Sequence, residues 1–435
     1  MLDFWTALGW VLLPFSLLLL HMSGFRFIGK NLHPLSFTLL VQIFTLTLPG
    51  VIGIALFDWP MSYDTHLEIT DATRNHVLYS TLISIALLLS GVAAAYRHGA
   101  IPAVEYRFEE KQQPHLIWLT FASGLCIALK LLTITQIPLL LALQGDPQAA
   151  AAAKIRILTQ AEGVTVFGLN YIVRAIPFVS FFASFLARLY GDKNSALTWL
   201  FLANAILGGF NALFDVQKFQ IVLMTACCFW LVHAKTGRIG ILVGAFLSAV
   251  VLSVAAFAVT LGYSGEEAAL SALTRIFTGQ SEGLFYIFQY LEPSTAYAWL
   301  GIPLGPTFLL PQIDPAATVV RLLFPGAEDT WLNSNTYVVA HAWAILGEPG
   351  IVLAPVFVIL NISLVSLLFK RAIQQNPVLY YPLYFWLIIR LPIINVFTEF
   401  MWLKVSLDFA INMLFIWGLS RLPKPGRASP SAKET

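Results

Sequence analysis

Apolar stretches of about 20 residues, the length that crosses a hydrocarbon core of roughly 30 Å, recur from one end of this chain to the other. Inside such a stretch every backbone polar group must find its partner within the segment, and a helix is the structure that supplies one. The pattern predicts spans at about 2–21, 35–57, 76–96, 116–141, 166–187, 196–214, 219–233, 239–262, 350–369, 379–397 and 402–420, with a shorter dip at 335–348. Composition agrees: 11% of residues are charged, against about 25% in soluble domains. The expected fold class is an all-α polytopic integral membrane protein of about 11 transmembrane helices. Residues 1–420 form one transmembrane domain, and 421–435 a disordered tail. The first run lacks a basic n-region and an A-x-A site, so it reads as a retained span. Cys126, Cys227 and Cys228 all fall in spans, which points away from a disulfide framework or a cysteine metal site. A net charge of +2 spread over short loops gives no reason to expect nucleic acid as a partner.

Orientation follows from the distribution of cations. Alternate connections hold Arg26 and Lys30; Arg97, Arg107 and Lys111; Arg188 and Lys193; Lys235 and Arg238; Lys370 and Arg371; and the tail adds Arg421, Lys424, Arg427 and Lys433. That is 15 cations on one side, against six on the other: Arg74, Lys154, Arg156, Lys218, Arg275 and Arg321. With the richer side cytoplasmic, the N-terminus is outside and the C-terminus inside. Three outer connections carry content. Loop 58–75 is acidic and aromatic; 142–165 holds an alanine run expected to form a short helix behind Pro147; and 263–349 is too long to be structureless. The last contains an aromatic-rich helix pair, broken at Gly279, that suits an interfacial position.

Lys130, Arg174, Arg390 and Lys404 lie within the apolar runs. A cation costs a few kcal/mol or more at the bilayer centre, so such residues usually face a cavity, a partner or a substrate. Four of them at the middle or outer half of the membrane suggest a pocket for a strongly anionic group.

The segment Asn335-Thr336-Tyr337, followed by Ala344-Ile345-Leu346-Gly347-Glu348-Pro349-Gly350 and a span, resembles the Wzy-type polymerases of O-antigen and exopolysaccharide repeat units. Lys218 opening a span after a short outer turn, where the family often has arginine, and Arg275-Ile276-Phe277 opening the large loop add to the resemblance. No Arg-x10-Gly pair of the kind found in some members is present. The resemblance implies a GT-C-like architecture with a large periplasmic loop, in the bacterial inner membrane. It implies transfer of a growing glycan from undecaprenyl pyrophosphate onto an incoming lipid-linked unit, beside membrane lipid and a chain-length regulator protein. No cofactor and no metal is expected, so cations would stabilise the leaving pyrophosphate, arginine best of all for its bidentate geometry.

The expected pyrophosphate ligands are Arg156, Arg174 and Arg275, with Lys218 at the edge and Arg321 and Arg390 as further members. Asn170 and Arg174 share a helix face by their spacing of four. His341, Glu348 and Glu282 are the candidates to accept or orient the proton of the attacking hydroxyl. Each has a plainer reading. Lys130 reaches its helix end by snorkelling; Arg390 bridges to Glu399 or Asp408; Lys404 is an interfacial anchor; His341 is a satisfied core residue; Glu348 caps a helix. Two other functions stay open: an O-antigen ligase-like glycosyltransferase sharing the pyrophosphate site, and a transporter or flippase of a lipid-linked anionic substrate.

Overall fold

Proline, glycine and capping side chains divide the apolar runs into helices. A computed structural model describes residues 4–61, 67–108, 110–158, 161–191, 194–214, 218–261, 264–302, 310, 312–325, 335–394 and 396–423, and among these every regular element is helical. Among the described residues, eight helices are long and apolar enough to cross a membrane: Phe4–Met22, Pro34–Phe57, Asp71–Arg97, Gln113–Leu132, Leu169–Tyr190, Ser195–Leu213, Phe219–Thr236 and Glu348–Gln375. That is the build of a polytopic membrane protein. The runs at 239–262, 379–397 and 402–420 correspond to Gly240–Leu261, Pro377–Ile389 and Lys404–Ser420. Of these, Pro377–Ile389 has 13 residues and is too short to span alone. The tail from 424 lies outside the described residues.

Two runs break for local reasons. The run at 116–141 closes at Leu132, and Pro138 opens a separate six-residue helix, its ring suited to a first turn where no N–H partner is needed. The run at 379–397 stops at Ile389 with Arg390 as cap, because the ring of Pro392 would clash with the carbonyl four residues back. Ending a helix among apolar groups strands carbonyls that water cannot reach. Side chains of the Pro34–Phe57 helix satisfy two of them. Thr38 Oγ1 donates to the Ile388 carbonyl at 2.9 Å and Gln42 Nε2 to the Ile389 carbonyl at 3.1 Å. Gln42 lies in a π-helical stretch, Leu39–Thr47.

Beyond the break the chain is held by neighbours. Val338 N–H donates to the Ile393 carbonyl at 2.8 Å, Phe397 N–H to His341 Nδ1 at 3.2 Å, and Asn361 Nδ2 to the Phe400 carbonyl at 2.9 Å. After the short helix Phe397–Met401, Leu403 takes a left-handed backbone at φ 53° and Lys404 opens the last helix. A side-chain-bearing residue adopts that conformation only when its surroundings impose it.

The segment expected to dip at 335–348 forms Val338–Leu346, nine residues long and buried from Val338 to Ile345. Gly347, at φ 66°, turns the chain into Glu348–Gln375, and a Cβ on Gly350 would lie 2.4 Å from the Ala342 carbonyl oxygen. The alanine run forms Pro147–Leu158, with Asp146 accepting from Ala149 N–H at 2.9 Å. The pair around Gly279 is Gly265–Phe277 and Glu282–Tyr290. The second helix is buried from Glu282 to Phe288, packed against Asp71–Arg97 and Val338–Leu346, with Phe288 stacked on Trp343 at 4.5 Å. Its aromatic density serves packing.

Candidate functional site

Lys130, Arg174 and Lys404 come from three different helices and Arg390 from the cap of a fourth, and together they line two adjoining cavities. The first, of about 190 Å³, is lined by Tyr171, Arg174, Trp386, Arg390, Glu399, Lys404 and Asp408, among others. The second, of about 200 Å³, is lined by Lys130, Glu162, Asn170, Arg174, Phe178, Asn211, Gln220 and Arg390, among others. Arg174 and Arg390 belong to both.

Helix electrostatics explains only part of this placement. Lys130 in a last turn and Arg390 at a C-cap sit where the helix dipole welcomes a cation, whereas Lys404 opens a helix, where the dipole opposes one. Lys404 is compensated by Glu399, whose Oε1 accepts from Nζ at 2.8 Å. Lys130 donates to Asn211 Oδ1 at 2.5 Å and lies 5.4 Å from the Phe214 ring centroid. The Arg390 guanidinium lies 5.5 Å from the Trp386 ring centroid, and Trp386 is stacked in turn on Phe178 at 4.2 Å. Arg174 makes no ion pair among the described residues and is exposed.

Glu162 is tied down. It accepts from Thr135 N–H at 3.0 Å, from the Thr135 hydroxyl at 2.8 Å and from Arg156 Nε at 2.7 Å. The Thr135 backbone bond first, then the hydroxyl and Arg156, hold its carboxyl below the usual range. Asp408 accepts from Asn412 Nδ2 at 2.7 Å through Oδ1. Counting Arg156 behind Glu162, five cations stand at these cavities against Glu162, Glu399 and Asp408, an excess of two positive charges. Asn211 is 2% exposed, and its Nδ2 has no hydrogen-bond partner among the described residues.

The residues singled out from sequence are distributed as follows. Arg174 and Arg390 line both cavities, and Arg156 stands behind Glu162. Lys218 opens the helix Lys218–Thr236, two positions before Gln220; its side chain lies outside the described residues. Arg275 and Arg321 line neither cavity. Arg275 Nη1 lies 3.9 Å from the fully buried Glu282, in a region where Ser281 donates to the Leu46 and Thr47 carbonyls and Asn335 to Gln280. Arg321 is exposed on Pro315–Leu323, whose N-cap Asp314 has its carboxyl raised by burial.

His341 and Glu348 are likewise not among the lining residues. The Nδ1 lone pair of His341 is taken by Phe397 N–H, so a neutral ring carries its proton on Nε2 and has no lone pair to spare. Glu348 Oε1 lies 2.9 Å from His76 Nε2 with its side chain largely exposed. Sequence reasoning saw Glu399 and Asp408 only as bridging partners of Arg390, and it passed over Asn211 and Glu162. For Asn211 the available signal was an amide in an apolar run; Glu162 lies in the connection 142–165, where a carboxylate is ordinary. Among the described residues no cluster of three or more His, Cys, Asp or Glu is placed to hold a metal ion. Comparison with family models, characterised proteins and solved structures found no match to this chain.

Proposed function

We propose that the chain is a membrane glycosyltransferase that polymerises undecaprenyl-pyrophosphate-linked oligosaccharide repeat units at the periplasmic face of the bacterial inner membrane. The observation that carries this reading is the convergence of Lys130, Arg174, Arg390 and Lys404 on the paired cavities, which with Arg156 behind Glu162 leaves two positive charges in excess, within a polytopic helical chain. A glycan joined to a lipid through a diphosphate diester carries one negative charge on each phosphate, two in all. Preorganised arginine and lysine donors stabilise the charge that grows on the leaving diphosphate. The resemblance of Asn335–Tyr337 and Ala344–Gly350 to Wzy-type polymerases points to the same substrate. A ligase moving finished glycan from the same carrier would use the same site.

A second reading has one observation of its own. The chain is broken between Pro377–Ile389 and Lys404–Ser420 beside the cations, and discontinuous helices at an anion site are a feature of secondary transporters. Chain lengthening decides between them. Protein reconstituted in lipid vesicles, given lipid-linked glycan extracted from the host membrane, should produce a ladder of longer glycans. Arg174→Lys should reduce that ladder while expression stays normal, because an ammonium lacks the bidentate fork. Movement of intact lipid-linked glycan across the bilayer without lengthening would establish the transporter reading instead.

A further inference from the structure

The two cavities differ in chemistry, and from that difference we infer how the donor lies across them: the diphosphate occupies the Lys130–Asn211 cavity, the attacking hydroxyl enters the other, and Asp408 takes its proton. This rests on the lipid-diphosphate reading above.

The Lys130–Asn211 cavity is rich in donors. The Lys130 ammonium fixes which end of the Asn211 amide is oxygen, since an ammonium can only donate. The other end, Nδ2, is therefore a buried donor with no partner among the described residues, on a residue that lines the cavity. Leaving such a group unpaired is costly, and a buried orphan in a native site calls for a missing partner. The cavity's carboxylate, Glu162, is already engaged by Thr135 and Arg156. What the site lacks is an acceptor-only anion, and phosphoryl oxygens are that.

The other cavity presents two carboxylates in unequal states. Glu399 is bound to Lys404. Asp408 makes no ion pair among the described residues, and its one hydrogen bond, from Asn412, uses Oδ1. A diphosphate placed there would face both carboxylates and be repelled, whereas a sugar hydroxyl finds an acceptor in Asp408 Oδ2. Arg174 and Arg390, common to both cavities, then stand at the junction where the sugar–phosphate bond breaks. The acceptor hydroxyl oxygen forms a bond to the anomeric carbon of the donor sugar. The bond from that carbon to the phosphate oxygen breaks, its electron pair leaving on the diphosphate toward Arg174 and Arg390, and the hydroxyl proton passes to Asp408.

Two variants separate the roles. Undecaprenyl diphosphate without sugar serves as the binding probe, and glycan-bearing lipid extracted from the host serves as the substrate. Asp408→Asn should slow lengthening by roughly 100-fold or more, the range lost with a general base, while the probe's Kd stays within about threefold. The acid limb of the pH–rate profile, where protonation of a carboxylate removes activity, should disappear with it. Asp408→Glu should recover part of the rate with that limb displaced, and it carries the test if the asparagine variant fails to fold. Asn211→Ala should weaken probe binding about tenfold, the scale of one charge-assisted hydrogen bond. Lengthening by Asp408→Asn at near wild-type rate with an unchanged pH profile would overturn the role of Asp408. Wild-type probe binding by Asn211→Ala, or a loss of binding confined to Asp408→Asn, would overturn the orientation. If the unaltered chain neither binds the probe nor lengthens glycan, the function reading falls and takes this inference with it.

Discussion

Two interruptions of apolar helix lie side by side in this molecule, and they treat their polar residues in opposite ways. Around Val338–Leu346 the polar side chain turns inward to serve the backbone. His341 is 3% exposed, its Nδ1 accepting from Phe397 N–H. Around the break after Ile389 the roles are reversed. The backbone is satisfied by side chains from elsewhere, Thr38, Gln42 and Asn361, and the break's own polar residues, Arg390, Glu399 and Lys404, line a cavity. A polar residue in an apolar run can mark either situation. What separates them is whether the side chain lies buried and holds a backbone N–H, as His341 does, or lines a cavity, as Arg390, Glu399 and Lys404 do.

The largest effect expected from this contrast is at Arg390. Arg390→Ala should lower glycan lengthening by roughly 100-fold or more, the cost of removing one preorganised donor from a developing anion. Thermal stability in detergent should change far less than activity, because the guanidinium is exposed at the cavity and an exposed cation–π contact such as that with Trp386 contributes about 0.5–1 kcal/mol. Paired rate and melting measurements check this. Activity retained within tenfold, or a melting point lost together with activity, would make Arg390 a structural residue and erase the distinction between the two breaks.

At His341 the pattern should invert. His341→Leu leaves Phe397 N–H without its acceptor in a buried place, a loss of about 1–3 kcal/mol. The variant should therefore melt earlier, and what folds should remain active. His341→Gln offers an acceptor again and should recover part of the stability. A variant that melts normally but cannot lengthen glycan would restore His341 as a chemical participant.

Much of the scaffold was legible because membrane crossing leaves few structural choices. Among the described residues, eight of the eleven expected spans appear as long apolar helices, and Pro147 and Gly347 sit at the turns their chemistry suggests. The four intramembrane cations were equally visible, since their cost demands a reason. The broken span at 379–397 was hidden because hydropathy averages over Pro392, and because the partners that make the break affordable lie about 350 residues away in the chain. The same long range hid the pairing of Lys130 with Asn211. Arg275 and Arg321 looked equivalent to Arg174 only while charge was read without position.

The smallest effect separates a surface ion pair from a reacting group at Glu348. Its carboxylate faces His76 at 2.9 Å, but the Glu348 side chain is 62% exposed. Water and salt screen such a pair, and exposed ion pairs contribute on the order of 0–1 kcal/mol. The carboxylate also stands in the first turn of Glu348–Gln375, where it interacts favourably with the helix dipole by about 0.3–1 kcal/mol. Glu348→Gln keeps the shape and a hydrogen-bond acceptor while removing the charge, so stability should fall by less than about 1 kcal/mol, on those same magnitudes. Lengthening should stay near the wild-type rate, because Glu348 lines neither cavity. A severe loss of lengthening in this variant, with its melting point intact, would place the acceptor hydroxyl beside Gly347 and move the proton-accepting role from Asp408 to Glu348. Read together with the Asp408 variants, it locates the acceptor at one of two carboxylates, one folded into the cation cluster and the other open to solvent.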